Sequence, residues 1–209
     1  MNDALSEWLQ LRRDYDWCQV EDVLGPITPT RDGHGHFIHT VGKARDPKRA
    51  SALFAALEQV REDASIKAYL DFDRLCRWQQ IVLDTTQVSF RTGPAFAKDG
   101  RERYSFDSNT QPLFVRCLDE ANIDRVPIVG RASRAYFDII FFHPFPDGNA
   151  RSAALVLDFI LARQNIFLDQ VSPLYMIERS PTLVDVQSFM ELLDVLAKST
   201  LHRKLHVLD

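Results

Sequence analysis

Within nine residues, His143 to Arg151 in HPFPDGNAR, the chain places an imidazole, a carboxylate, a glycine, a carboxamide and a guanidinium. A histidine titrates near neutrality and can take a proton from an attacking hydroxyl. The hard oxygens of Asp147 suit Mg²⁺ bridged to a phosphate. Gly148 opens backbone conformations closed to bulkier residues, so that the N–H groups of Gly148 and Asn149 can converge as a nest on an anion. Arg151 falls in the first turn of the next helix, where the dipole disfavours a cation unless an anion is lodged there to accept its fork. The same residue types also make ordinary turns, with Asp or Asn as the cap and the histidine a satisfied loop residue. Their coincidence in one short stretch points to a phosphate cradle with a base at its side.

Such a cradle needs a rigid mount. Ile139, Ile140, Phe141 and Phe142 predict a buried helix over residues 128–142. Pro144 and Pro146 force the chain out of it, and Phe145 between them can anchor the turn in the core. Helical spacing resumes over 150–164, where Ala153, Ala154, Leu157 and Ile160 suit close packing. Further helices are predicted over 3–13, from Asp46 or Pro47 through Val60, and over 71–84, 110–122, 172–179 and 183–197. TTQVSFRTG reads as a strand, and DGRERYSF as a turn feeding another, with Asp99 and Gly100 at a hairpin tip. Residues 25–49, dense in Gly and Pro, read as loop or short irregular strands. The class is mainly α with one short β-hairpin, divided into an N-terminal helix and irregular extension over 1–49 and a helical domain over 50–209, packed as one compact body.

Composition narrows the function. The 209 residues are 45% hydrophobic, enough for one core. A formal net charge of −4 argues against a broad nucleic-acid surface. No apolar run approaches a membrane span. Cys18, Cys76 and Cys117 show no metal-like spacing and read as small core residues of a reducing compartment. With an acidic, polar N-terminus, the expected location is the cytoplasm. The run DGHGHFIH, with His34, His36 and His39, invites a zinc reading, but two fall on one strand face and the third on the other, so a loop surface is expected.

The stretch HPFPDGNARSAA, His143 to Ala154, resembles the signature of the Fic/Doc family, His-Pro-Phe-x-(Asp or Glu)-Gly-Asn-Gly-Arg-x-x-Arg. VSFRTG followed by RYSF looks like the strand and target-positioning flap of that family. The resemblance implies a Fic-like helical core with a hairpin flap, and a nucleotidyltransferase that moves the monophosphate of a nucleoside triphosphate, ATP foremost, to a Ser, Thr or Tyr hydroxyl of a target protein. By position, His143 would be the catalytic base and Asp147 the Mg²⁺ ligand. Gly148, Asn149, Ala150 and Arg151 would bind the nucleotide, and Arg101, Arg103 and Tyr104 would lie on the flap. A separate regulatory protein completes the implied partners. Two positions depart from the pattern, Ala150 for glycine and Ala154 for the second arginine. The second removes a cation that typical members place on the outer phosphate; Arg131, Arg134 and Arg163 are candidates to replace it. The departures leave open a silent nucleotide-binding protein, or a transferase of phosphocholine or a phosphoryl group to a protein or small molecule.

Overall fold

The computed structural model describes residues 3–206, with side chains through Arg203. The chain opens with α1 (Ala4–Asp14), capped by the Asp3 carboxylate on the amides of Leu5 and Ser6. Then follow α2 (Gly33–Phe37), a π-helical turn (Ile38–Gly42) and α3 (Lys43–Arg45). The long α4 (Pro47–Ser65) starts with Asp46 as cap and Pro47 in its first turn, where proline's missing N–H costs nothing. Next come α5 (Phe72–Leu83), a hairpin of β1 (Ala95–Ala97) and β2 (Glu102–Tyr104), α6 (Thr110–Ala121), α7 (Ile128–Phe142), α8 (Asn149–Ala162), the short α9 (Ser172–Tyr175) and α10 (Leu183–His206).

The core centres on the antiparallel pair α7 and α8, with α4, α5, α6, α10 and α1 around it. α7 is buried on every face, so its sequence is apolar nearly throughout, and its one buried carboxylate is paired. Asp138 accepts from Trp8 Nε1 at 3.0 Å and from Arg12 Nε at 2.7 Å, and Trp8, fully enclosed, packs on Phe137 and Phe141. The last turns of the helix that carries the candidate base are thus fixed by α1.

Three expectations change. Residues 33–45 are helical, because the glycines there permit contact rather than chain reversal: a Cβ on Gly33 would come within 2.5 Å of the Leu168 carbonyl oxygen. TTQVSFRTG forms no strand; the Arg91 amide donates to the Pro144 carbonyl at 2.9 Å, so this extended stretch is tied to the turn after α7, and the hairpin begins only at Ala95. The helix expected over 172–179 stops at Tyr175, and the last one runs to His206. Cys117 is buried and Cys76 half-buried as expected of core thiols, whereas Cys18 is exposed. No helix among the described residues is long and apolar enough to cross a membrane.

Candidate active site

His143 ends α7 in the left-handed region, φ 48° and ψ 53°, so the helix closes by turning its imidazole out of the core. The ring stacks on Tyr104 of β2, centroids 4.5 Å apart and planes within 10°. Nδ1 lies 3.4 Å from the Ile140 carbonyl, a group that can only accept, which puts the proton on Nδ1 and leaves Nε2 with its lone pair. Burial lowers the pKa of this half-buried imidazole and the Arg91 charge adds to that, against smaller raising effects of the Ile140 carbonyl, Glu102 and Asp147. The ring is therefore neutral at pH 7, the form a base needs.

The turn itself is braced from inside. Phe145 is fully buried and stacks on Phe72. Its N–H donates to Asn149 Oδ1 at 2.9 Å, and its carbonyl accepts from Asn149 Nδ2 at 2.7 Å, so one carboxamide closes the loop as a clamp. Gln79 of α5 holds the Asp147 carbonyl at 2.7 Å. Gly148 has φ +79°, which favours glycine, and a Cβ there would meet Gln79 Nε2 at 2.6 Å and push it from the Asp147 carbonyl. From Asn149 the chain enters α8, whose first N–H groups have no intrahelical acceptor and no side-chain cap.

Asp147 is exposed at the lip. Its Oδ1 accepts from the Gly148 amide, and its Oδ2 lies 3.3 Å from Arg151 Nη2 and 3.7 Å from Arg49 Nη2. Arg151 also donates to the Val82 carbonyl at 3.1 Å, and burial lowers its pKa. Among the described residues no three His, Cys, Asp or Glu side chains gather to hold a metal. A lone carboxylate such as Asp147 would hold Mg²⁺ only if a phosphate ligand supplied further oxygens. His34, His36 and His39 diverge: the first is bound to Asp158, the second lies beside Arg31 and the third packs on Phe54.

Of the hairpin residues, Tyr104 reaches His143, while Arg103 points to Asp3 and Arg101 folds onto the Lys98 carbonyl at the tip. Arg131, Arg134 and Arg163 do not approach Ala154; they bind Asp124, Glu120 and Asn122 respectively, on the α6 side of α7. Sequence reasoning missed Arg91. Its buried guanidinium donates to the carbonyls of Phe142, Gly93, Tyr104 and Ser105, so a single side chain joins the end of α7 to the hairpin that supports the imidazole. An arginine amid VSF, in a stretch too apolar for surface, was the available signal. It also missed Gln79, which an amphipathic pattern places inward without saying what it holds.

The arrangement of helix, motif turn, helix and flap is that of Fic domains. The chain is similar to a solved Fic domain-containing signalling protein of Bacteroides thetaiotaomicron, with a TM-score of 0.60 and 19% identity over 80% of this chain and 76% of that one. It is similar to Fic-1 of C. elegans, at 0.58 and 13%, over 98% and 72%, and to IbpAFic2 covalently tethered to Cdc42, at 0.57 and 17%, over 93% and 70%. At these identities the likeness establishes the fold. No curated protein sequence matches the chain. Residues 69–161, just under half of the chain, match the model of the Fic/DOC family.

Proposed function

We propose that the chain transfers a nucleoside monophosphate from a nucleoside triphosphate, ATP foremost, to a hydroxyl of a target protein in the cytoplasm. The observation that carries this reading is the free Nε2 of a neutral His143, held by Tyr104 beside the uncapped amides of α8. The acceptor oxygen forms its bond to the α-phosphorus while the bond to pyrophosphate breaks, and the hydroxyl proton passes to His143 Nε2. The amides at Asn149 and Ala150 face the charge that builds on phosphorus-bound oxygen. Asp147 would hold Mg²⁺, which neutralises phosphate charge when bound.

The acceptor side is supported by the hairpin. The outer edge of β2 carries a bridge from Asp3 to Arg103, whereas β1 pairs only with β2 among the described residues and shows Phe96 to solvent. A cleft of about 490 Å³ lies between β1 and His143. An extended target segment added to that edge would bring a hydroxyl to the imidazole. The likeness to IbpAFic2, solved with adenylylated Cdc42, supports a protein acceptor and an AMP-type group.

Incubation of purified protein with Mg²⁺, cell lysate and each of ATP, GTP, CTP, UTP and CDP-choline, followed by mass spectrometry of the products, tests the reading. A nucleoside-monophosphate increment that His143→Ala abolishes is the expected result; no increment with any donor defeats it. A second reading, nucleotide binding without transfer, is favoured by Arg151, whose fork already rests on Val82 and Asp147. Transfer that depends on Asp147 would eliminate it.

A further inference from the structure

The cavities over the start of α8 form a chain. The cleft on the β1 side shares His143 with a cavity of about 390 Å³. That cavity shares Ala150, Tyr175 and Arg45 with a smaller apolar notch of about 160 Å³ over Ala154, and the notch shares Arg151 with the pocket at Asp147. Arg45 is therefore the one charged side chain common to the cavity at the base and the notch over Ala154. It stands at the end of α3, exposed, and makes no ion pair or hydrogen bond with a described residue.

A second observation points the same way. Arg179 lines the 390 Å³ cavity and is only 7% exposed, yet it has no carboxylate partner among the described residues. Its Nη1 donates to Ser188 Oγ and its face lies over Phe189, but Nε and Nη2 have no hydrogen-bond partner. A buried guanidinium with no carboxylate beside it is costly, and an anion in the adjoining cavity would offset its charge. Lys98, by contrast, is already taken up by Glu102 at 2.7 Å.

We propose that Arg45, with Arg179 behind the same cavity, forms a distal anion site that binds the outer phosphates of the nucleoside triphosphate. The inference rests on the proposed transferase reading and adds to it the residues that select a triphosphate over a monophosphate. With the acceptor entering from the β1 side of His143, the leaving pyrophosphate departs on the far side, across Ala150, where Arg45 stands. The notch beside it is walled mainly by Phe37, Ile38, Leu53 and Leu57, and its other polar side chains are engaged, Arg151 with Val82 and Asp147, His34 with Asp158 and Tyr175 with His34, so the free charge is that of Arg45. α3 thereby acquires a use that its place outside residues 69–161 would not suggest.

Calorimetric titration of the wild type, Arg45→Ala, Arg45→Lys and Arg179→Lys with ATP, GTP, CTP and UTP, each against its own monophosphate and all with Mg²⁺, decides the matter. For the nucleotide that binds, Arg45→Ala is expected to weaken the triphosphate about tenfold or more, as for loss of a charge-assisted hydrogen bond, and to leave the monophosphate unchanged. Arg45→Lys should recover part of the loss, and Arg179→Lys should show a smaller loss with the same selectivity. Since Arg45 is exposed and unpaired, its variants should melt with the wild type, so the test stands even if the Arg179 variant folds poorly. An unchanged ratio of triphosphate to monophosphate affinity in Arg45→Ala, or equal loss of both, overturns the inference alone. A wild type that binds none of the nucleotides overturns the transferase reading with it.

Discussion

Two clusters along α8 are built from the same side chains. At its start stand His143, Asp147, Arg151 and Tyr104; on its later turns stand His34, Asp158, Arg61 and Tyr175. In the second cluster every group is spent on another. His34 Nδ1 lies 2.7 Å from Asp158 Oδ1 and its Nε2 meets the Tyr175 hydroxyl, while Arg61 holds Asp158 through two bonds of 3.0 and 3.1 Å and Asp32 through two more. In the first cluster Tyr104 offers its ring face instead of its hydroxyl, Nε2 of His143 stays free, and the neutral amides of Asn149 and Gln79 fix the turn. At the start of α8 the scaffold therefore leaves a ring nitrogen and the first amides without partners, while two neutral carboxamides brace the turn beside them.

The comparison breaks most visibly if the two histidines are exchanged for alanine. His143→Ala should lower transfer by about 10²–10⁴ in kcat, the usual worth of a general base, with little change in unfolding midpoint. His34→Ala should do the reverse, since it strips a partner from the buried Asp158. If His143→Ala transfers normally, the free ring nitrogen has no part in the reaction.

Next in size is Asp158→Asn, expected to cost about 3 kcal/mol by leaving Arg61 and His34 without their shared acceptor. The wild-type carboxyl is held well below its ordinary range: burial alone would raise it, and His34 and Arg61 together more than reverse that. Its native pKa being depressed, the stabilisation is complete above the unfolded carboxylate pKa and is lost as pH falls toward the native value. Urea midpoints of wild type and variant should differ widely at pH 7 and converge on acidification. A gap that stays constant with pH would show that the ion pairs contribute no net stability.

Asn149→Ala should cost about 1–3 kcal/mol, because it orphans both backbone groups of the buried Phe145. Unlike Asp158→Asn it should also depress kcat at constant folded fraction, since the turn then loses the clamp that sets the distance from His143 to α8. A melting loss without a kinetic one would mean that the hairpin and Arg91 alone position the base.

The pH profile separates the clusters further. Because burial lowers the His143 pKa, the basic form persists below the ordinary histidine range. kcat/KM should be flat through neutrality and fall only below about pH 6.5, the unperturbed value. A limb at or above that value would mean that the base is solvated in the free enzyme, contrary to its stack on Tyr104.

How these clusters could be read in advance differs for the same reason. The first is contiguous, so His143, Phe145, Asp147, Gly148 and Arg151 declare themselves by type and spacing, and the two prolines mark the turn. The second draws on residues 32, 34, 61, 158 and 175, and nothing local connects them; DGHGHFIH even suggested a loop surface, because its glycines look like breakers when they are points of close contact. The long helices were legible from their apolar period, α7 to the residue. The hairpin's start was not, since Arg91 and its neighbours are extended without pairing to a strand. Whether a hydrogen bond runs to a sheet or to the Pro144 carbonyl is a tertiary fact that alternation cannot carry.

The smallest effect discriminates between two tyrosines. Tyr175→Phe removes the hydroxyl that meets His34 Nε2 and leaves that nitrogen buried without a partner, a loss of about 1–3 kcal/mol. Tyr104→Phe removes a hydroxyl whose acceptor, Glu102, keeps Lys98 at 2.7 Å, and it preserves the ring face on which His143 rests. Its cost should be about 1 kcal/mol or less, with kcat changed by no more than about fivefold. The order of the two follows from use: one phenol serves through its oxygen and the other through its ring. Should Tyr104→Phe reduce transfer as far as His143→Ala does, the phenolic O–H itself would have to take part in the proton transfer. Burial and Glu102 push that hydroxyl far above its ordinary pKa, which makes it a donor to Glu102 and a poor acid toward anything else.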